Sequence, residues 1–242
     1  MNGNTSVEQQ NEKSDVKSGV TRWLIREIMG SLITAAILFG AAGRLDWVMG
    51  WVLVGVYLIW TAATALTVIP TNPGMLAERS EPKEGTKGWD LAILSVVGIV
   101  EMVKYVVAGL DLRWGWSPQM PLALQLAGVV MAVLAYDVIL VWAMAANAFF
   151  SQTVRIQEDR GQVVATGGPY RYVRHPGYVG SILFQIATPL ILGSVWAFIP
   201  AGLASLLTVV RTALEDRTLR EELDGYKEYA QKVRYRLLPG VW

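Results

Sequence analysis

The sequence predicts an all-α, polytopic membrane protein: a helical bundle of about six membrane segments that includes a C-terminal helical hairpin. Three observations support this fold class. Of the residues, 53% are hydrophobic and only 17% are charged, whereas soluble domains carry roughly 25% charged residues. The apolar residues are gathered into runs near the ~20 residues that a helix needs to cross a bilayer. Lys and Arg also alternate strongly between successive connections.

Four apolar runs have about the length of a membrane-spanning helix, the first of them short: residues 28–43, 47–69, 91–110 and 122–148. A fifth run, residues 178–210, is too long for a single span and is interrupted by Gly193 and Ser194. We expect this run to form a helical hairpin. Its second arm should continue into the polar segment after Arg211.

The placement of Lys and Arg predicts the orientation of the chain, because these residues accumulate in cytoplasmic connections. The N-terminal segment, the second and fourth connections and the C-terminal segment together hold 18 of them. The other two connections hold only Arg44 and Arg113. We therefore expect both termini in the cytoplasm. Five tryptophans lie at predicted segment ends, as in an interfacial aromatic belt: Trp47, Trp89, Trp114, Trp116 and Trp196.

The chain divides into three predicted parts. Residues 1–20 are polar and of mixed charge and are expected to be a disordered tail; residues 21–148 form the four-span region, and residues 149–242 hold the polar motifs. The net charge is +1, and no basic surface interleaved with aromatics suggests a nucleic-acid partner. The absence of cysteine and the presence of one histidine, His175, argue against a metal site. The bilayer itself is the expected partner.

The connection after the fourth run contains a dense aromatic and basic motif, GPYRYVRHPGYVG, at residues 168–180. Pro176 biases His175 away from the helical conformation and suits the first turn of a following helix. The free N–H groups of that helix start, with Gly177 and Gly180, would let an anionic group approach the backbone. The same residues also suit an ordinary membrane interface, and physical chemistry alone leaves these two interpretations about equal.

The motif resembles the RHPxYxG signature of the isoprenylcysteine carboxyl methyltransferase family and of the related phospholipid methyltransferases. A second signature of that family, an acidic pair followed by a leucine, a glycine and spaced tyrosines, is present at the expected separation: Glu215, Asp216, Leu219, Gly225, Tyr226 and Tyr229. The resemblance covers roughly residues 145–242. It departs at Asp216, where glutamate is usual, and at Gly177, where serine is frequent, and these departures leave the substrate open.

The resemblance implies an S-adenosyl-L-methionine-dependent methyltransferase whose cytosolic loop and C-terminal helix enclose the cofactor. Carried over by position, the cofactor-binding residues are Gln157, Gln162, Val163, Val164, Ala165, Tyr170, His175, Pro176, Gly177, Tyr178 and Glu215. The substrate-binding arginine of the family corresponds to Arg211, and Arg211 and His175 are the candidate catalytic residues. Arg211 lies one turn before Glu215, so the two should share a helix face. The alternative is an exposed ion pair between them, without function.

Transfer of a methyl group from a sulfonium is an in-line displacement that mainly needs positioning and exclusion of water. We expect a lipophilic acceptor that enters from the bilayer, and the carboxylate of an isoprenoid- or lipid-linked substrate is one candidate. A carboxylate is already anionic and needs no general base. A thiol or an amine would need one, and His175 or Glu215 would be the nearest candidate.

Three charged residues fall inside predicted spans: Glu101, Lys104 and Asp137. Because charges at this depth are usually paired or face a cavity, they indicate either a polar cavity wall or ion path, or a neutral pair that locks the third and fourth spans together. Two other functions stay open. One is an NADPH-dependent membrane reductase of the sterol or steroid type, and the other is a transporter or proton relay built around these charges. The lack of a GxGxxG motif is weak evidence against the reductase.

Overall fold

The structure, a computed structural model, describes residues 2–80 and 83–242, with side chains described from Ser14 onward. Within these residues the chain is helical and contains no β-strand, as predicted. The described α-helices are Asn2–Ala42 (α1), Val48–Val68 (α2), Pro73–Glu78 (α3), Gly88–Trp114 (α4), Leu122–Val133 (α5), Val141–Ala146 (α6), Pro176–Leu192 (α7), Phe198–Glu222 (α8) and Tyr226–Lys232 (α9). A π-helical segment, Leu134–Leu140, makes α5 and α6 one continuous rod.

Five helical segments in the described chain are long and apolar enough to cross a membrane: Ser14–Ala42, Val48–Val68, Gly88–Trp114, Leu122–Ala146 and Phe198–Glu222. Helix α7 is apolar but has only 17 residues. It ends at Gly193, whose φ of +71° lies in the left-handed region that glycine adopts without strain. The predicted hairpin is therefore formed by α7 and α8, and α8 continues into the polar segment as expected.

Helix α1 begins well before the predicted first span. The predicted disordered tail is wrong for residues 14–20, which are helical and pack against α3. Gly19 lies so close to α3 that a Cβ atom on it would meet the Cβ of Ala77 at 2.5 Å. Val20 packs against a buried apolar cluster that contains Trp23 of α1 and Met75 and Leu76 of α3. These contacts order a segment whose polar composition alone suggested disorder. The side chains of residues 1–13 lie outside the described residues.

Small residues let the helices approach closely, as is usual in membrane bundles. A Cβ on Gly109 of α4 would meet the carbonyl oxygen of Leu38 in α1 at 2.7 Å. A Cβ on Gly180 of α7 would meet the carbonyl oxygen of Ala135 at 2.6 Å. Gly180 therefore serves helix packing. The expectation that it admits a ligand to the backbone is wrong.

The charges inside the spans form one network and one isolated group. Lys104 is fully buried, and its Nζ donates to Glu101 at 2.7 Å and to Gln185 of α7 at 2.6 Å. Asp137 has no part in this network: neither carboxylate oxygen has a hydrogen-bond partner among the described residues. The predicted lock between the third and fourth spans is therefore wrong. The backbone of α4 packs mainly on α1 and α8, and its charged residues Glu101 and Lys104 bond to Gln185 of α7.

The connections meet at two ends of the bundle. At one end lie those rich in Lys and Arg, joined by ion pairs such as Arg155 to Glu78 at 2.7 Å. We call this the loop end. At the far end the Asp111 carboxylate accepts from the backbone N–H of Ser117 at 2.7 Å and from the hydroxyl of Ser194. This closes the far end of the α7–α8 hairpin onto α4.

We expect reporters inserted near Lys83 or fused after Trp242 to report the cytoplasm, and one inserted near Arg113 to report the opposite side, because of the 18-to-2 split of positive charges. Glycosylation or phosphatase fusions measure this. If the Lys83 and Arg113 positions report the same side, the span assignment fails.

Candidate functional site

A cleft opens at the loop end between the loop of residues 147–175, the start of α7, the second half of α8, and α9. This loop cleft has about 810 Å³ of empty space, including its open mouth. Eleven of the twelve predicted site residues line it: Gln157, Gln162, Val163, Val164, Ala165, Tyr170, His175, Gly177, Tyr178, Arg211 and Glu215. The exception is Pro176, which is buried in the first turn of α7.

Side-chain amides hold the loop in shape around the cleft. The Asn147 amide, at the end of α6, donates to the hydroxyl of Tyr170 at 3.3 Å. The Gln157 amide donates to the carbonyl oxygen of Phe149 at 2.7 Å, and the Gln162 carboxamide oxygen accepts from the Gln157 N–H at 2.7 Å. Gln157, predicted as a cofactor contact, lines the cleft but is almost fully buried. Its visible role is to hold the loop.

Helix α7 begins at Pro176 as predicted, and His175 precedes it in a non-helical conformation with φ −126° and ψ 61°. The imidazole makes no capping hydrogen bond to the helix. Its Nε2 instead lies 3.4 Å from Asp216 and 3.3 Å from the hydroxyl of Tyr226. The ring stacks on Tyr178, with centroids 5.8 Å apart. The only histidine is thus held on both sides.

Asp216 joins the two signature motifs. Its side chain is fully buried and accepts from Arg174 Nε at 2.7 Å and from Arg236 Nε at 2.9 Å. Arg220 Nε and the Tyr226 hydroxyl each donate to it at 3.0 Å. A buried carboxylate is stable only with such partners, since an unpaired buried charge costs several kcal/mol. This single carboxylate thereby joins three parts of the chain: the start of α7, the end of α8 and the C-terminal segment.

The neighbouring carboxylate, Glu215, faces the cleft. Successive residues of an α-helix point about 100° apart, so the acidic pair cannot serve one ligand. Glu215 accepts a hydrogen bond from the Tyr178 hydroxyl and lines the cleft. The sequence assigned no role to Arg174 or to Asp216 beyond the motifs. The acidic pair Glu215 and Asp216 could have revealed these roles, because two adjacent acids on a helix point in different directions and need different partners.

Arg211 reaches the cleft but forms its ion pair elsewhere. Its Nε and Nη2 bind the two carboxylate oxygens of Asp90 at 2.6 and 3.1 Å, and Nη2 also donates to the carbonyl oxygen of Gln152 at 2.6 Å. The alternative of an ion pair between Arg211 and Glu215 is therefore wrong. Sequence reasoning missed Asp90, a fully buried acid whose only signal is its position in the first turn of α4.

A second cavity, the helix cavity, lies between the membrane helices and encloses about 1540 Å³, including its openings. Polar groups on its walls include Glu27, Ser31, Tyr57, Thr61, Arg79, Glu101, Tyr105 and Gln185. Five residues line both this cavity and the loop cleft: Phe150, Ser151, Gly177, Tyr178 and Arg211. The Arg211 guanidinium stands 5.2 Å from the centre of the Tyr178 ring. The two spaces therefore meet at this pair of side chains.

Three tyrosines form the floor of the loop cleft: Tyr170, Tyr226 and Tyr229. Burial raises the pKa of each phenol above its ordinary value, so all three are neutral hydrogen-bond donors at neutral pH. The Tyr229 hydroxyl donates to the carbonyl oxygen of Tyr170 at 2.8 Å. Among the described residues, no group of three or more His, Cys, Asp or Glu is placed to hold a metal ion.

The five long apolar helices define a multi-pass integral membrane protein, with a cleft at the loop end. Residues 128–221 of this chain match the model of the Isoprenylcysteine carboxyl methyltransferase (ICMT) family. The match runs from α5 through the loop and α7 to the last turn of α8. The resemblance predicted from the two sequence signatures is confirmed.

Curated relatives match part of the chain. The Protein-S-isoprenylcysteine O-methyltransferase of Schizosaccharomyces pombe is 33% identical over 95 residues, which cover 36% of this chain and 38% of that protein. A Probable protein-S-isoprenylcysteine O-methyltransferase of Oryza sativa subsp. indica is 28% identical over 113 residues, 44% of this chain and 56% of that protein. The chain thus spans about half or less of the relatives it matches.

One solved structure is also similar, that of the eukaryotic intramembrane Ras methyltransferase ICMT (isoprenylcysteine carboxyl methyltransferase). It is 18% identical, and the alignment covers 94% of this chain and 95% of that one with a TM-score of 0.48.

Asp216→Asn is expected to destabilise the protein by about 3–5 kcal/mol, because it removes the charge that compensates the buried Arg174. The matched control is Glu221→Gln, which breaks the exposed pair with Arg217 and should cost ~0–1 kcal/mol. Thermal unfolding of the detergent-purified variants measures both. Equal, small losses would show that the buried pair does not hold the loop end together.

Proposed function

We propose that this protein is an S-adenosyl-L-methionine-dependent methyltransferase that acts on a lipophilic acceptor embedded in the membrane. The observation that carries the proposal is the shared wall between the loop cleft and the helix cavity. A water-soluble methyl donor can enter the cleft from the aqueous side, while a lipid-soluble acceptor can enter the cavity between the helices. The name of the family whose model matches residues 128–221 and the names of the curated relatives support the same reaction class.

The residues of the loop cleft fit the proposed donor. Bound there, S-adenosyl-L-methionine would supply an electrophilic methyl group on a sulfonium. Glu215 presents a carboxylate whose hydrogen bond within the described chain comes from Tyr178, which leaves lone pairs for an ammonium or a ribose hydroxyl. Val163, Val164 and Ala165 offer apolar surface opposite. In this proposal Gln162, Tyr170 and the backbone from His175 to Gly177 complete the site.

We propose the carboxylate of an S-isoprenylated cysteine as the acceptor, since the matched family and both relatives carry that substrate in their names. A carboxylate is already a nucleophile and needs no general base. The side chains around the cleft are consistent with a reaction that uses no general base. Burial keeps the floor tyrosines neutral, and His175 is engaged with Asp216 and Tyr226. His175 then positions the start of α7 and takes no proton from the acceptor.

Arg211 is proposed to orient the acceptor where the two cavities meet. Asp90 and Gln152 fix its Nε and Nη2, and the Nη1 N–H groups have no hydrogen bond to the described chain. Those two groups are free to donate to the acceptor oxygen. The ring of Tyr178, which lies beneath the guanidinium, limits how far Arg211 can move. The chain's contribution is therefore orientation and exclusion of water.

S-adenosylhomocysteine is expected to bind the purified protein and raise its melting temperature, because a ligand selective for the native state stabilises it. Glu215→Ala and His175→Ala should weaken this binding while the protein still folds. Calorimetry and thermal shift measure both effects, with NADPH as the control ligand. Stabilisation by NADPH but not by S-adenosylhomocysteine would favour the reductase. Stabilisation by neither would leave the transporter or proton relay.

Arg211→Ala is expected to leave the affinity for S-adenosylhomocysteine within a few-fold but nearly abolish methyl transfer, because Arg211 contacts the acceptor and not the donor. Arg211→Lys should restore little, since an ammonium cannot hold Asp90 at two points and still reach the acceptor. Arg217→Ala, on the same helix but exposed, is the control. Single-turnover methylation assays measure the effect. Activity near wild type in Arg211→Ala would remove this residue from the site.

A further inference from the structure

Arg79 occupies an unusual position in the wall of the helix cavity. It caps the C-terminal end of α3, and its guanidinium lies 5.2 Å from the ring centre of Phe150. Phe150 lines both the helix cavity and the loop cleft. The Arg79 side chain makes no ion pair with the described part of the chain, and its buried Nε has no hydrogen-bond partner there.

The other two arginines of this cavity are neutralised. Arg26 binds Glu27 at 2.6 Å, and Arg211 binds Asp90. Burial lowers the pKa of Arg79 to about 10, with the charge of Glu27 acting against this and those of Arg26 and Arg211 adding to it. Arg79 is therefore still a cation at neutral pH. The wall of the helix cavity therefore carries one positive charge, that of Arg79, which forms no ion pair with a carboxylate of the described residues.

An unsatisfied, partly buried guanidinium is costly, and an anionic ligand removes that cost by supplying acceptors. The planar fork of arginine matches a carboxylate at two points. The fork of Arg211 is already occupied by Asp90 in this way. The fork of Arg79 has no such occupant, and it lies beside an aromatic ring shared by both cavities.

We propose that Arg79 binds the carboxylate of the lipophilic acceptor and makes the helix cavity selective for anionic over neutral molecules of the same shape. This inference rests on the proposed function for the identity of the anion. In this proposal Arg79 and Arg211 have different roles. Arg79 supplies the two-point hold that selects the acceptor, and Arg211, already fixed by Asp90, turns the held group toward the loop cleft.

The experiment compares wild type, Arg79→Gln, Arg79→Lys and Arg217→Gln in nanodiscs of zwitterionic lipid. Two probes differ only at the acceptor: N-acetyl-S-farnesyl-cysteine, with a free carboxylate, and its carboxamide. Calorimetry gives the affinity of each probe, and S-adenosylhomocysteine binding reports that the loop cleft is folded. Methylation assays of the carboxylate probe give kcat and KM.

Wild type is expected to prefer the carboxylate over the carboxamide. Arg79→Gln should weaken carboxylate binding by ~10- to 100-fold, the loss of charge-assisted hydrogen bonds, and leave the carboxamide and S-adenosylhomocysteine affinities unchanged. The corresponding change in methylation should be in KM more than in kcat. Arg79→Lys, which keeps the charge and the packing, should retain part of the preference. Arg217→Gln should behave as wild type.

A carboxylate preference that persists in Arg79→Gln would overturn the inference and leave Arg79 as a stacking partner of Phe150. Equal binding of the two probes by wild type would overturn it as well. If Arg79→Gln does not fold, an undiminished preference in Arg79→Lys decides against the two-point hold. Failure of the proposed function looks different. Wild type would then select the carboxylate through Arg79 without methylating it, or would not bind S-adenosylhomocysteine at all.

Discussion

The buried carboxylate of Asp216 is the interaction on which the rest of the loop end depends. A charge in that position is tolerated only with several donors, and these come from three separate segments: Arg174 before α7, Arg220 on α8 and Arg236 in the C-terminal segment. Their convergence sets where α7 begins relative to α8. That relation in turn places Tyr178 next to Glu215 and gives the loop cleft one of its walls.

A second buried acid, Asp90, sets the relation between the loop end and the membrane helices. It binds Arg211 of α8 and also accepts from the backbone N–H of Val154 at 2.8 Å. One side chain of α4 thus holds both the arginine and the loop that passes over it. Because the partner of Arg211 comes from within the protein, its geometry is set before any ligand arrives. This preorganisation suits the proposed role of Arg211 in orienting the acceptor.

The sequence predicted the helical bundle, the α7–α8 hairpin and eleven of the residues that line the cleft. Hydropathy predicts the spans and the hairpin, and the two sequence signatures predict the residues of the cleft. It did not predict the partners. Asp90 and Arg211 are 121 positions apart, so no local pattern links them. The network of Lys104 with Gln185 was missed because a neutral amide in an apolar run gives no charge signal. The disorder predicted for residues 1–20 is wrong over residues 14–20 because composition does not reveal their contacts with α3.

The clamp at the far end of the bundle has a mechanical consequence. There Asp111 ties α4 to the turn of the α7–α8 hairpin through Ser117 and Ser194. A 25-residue helix such as α8 is a lever of about 37 Å, so a tilt of about 5° around the clamp displaces its loop end by about 3 Å. Such a tilt would stretch the ion pairs of Asp90 with Arg211 and of Asp216 with Arg174, so these two pairs oppose any widening of the helix cavity at its loop end.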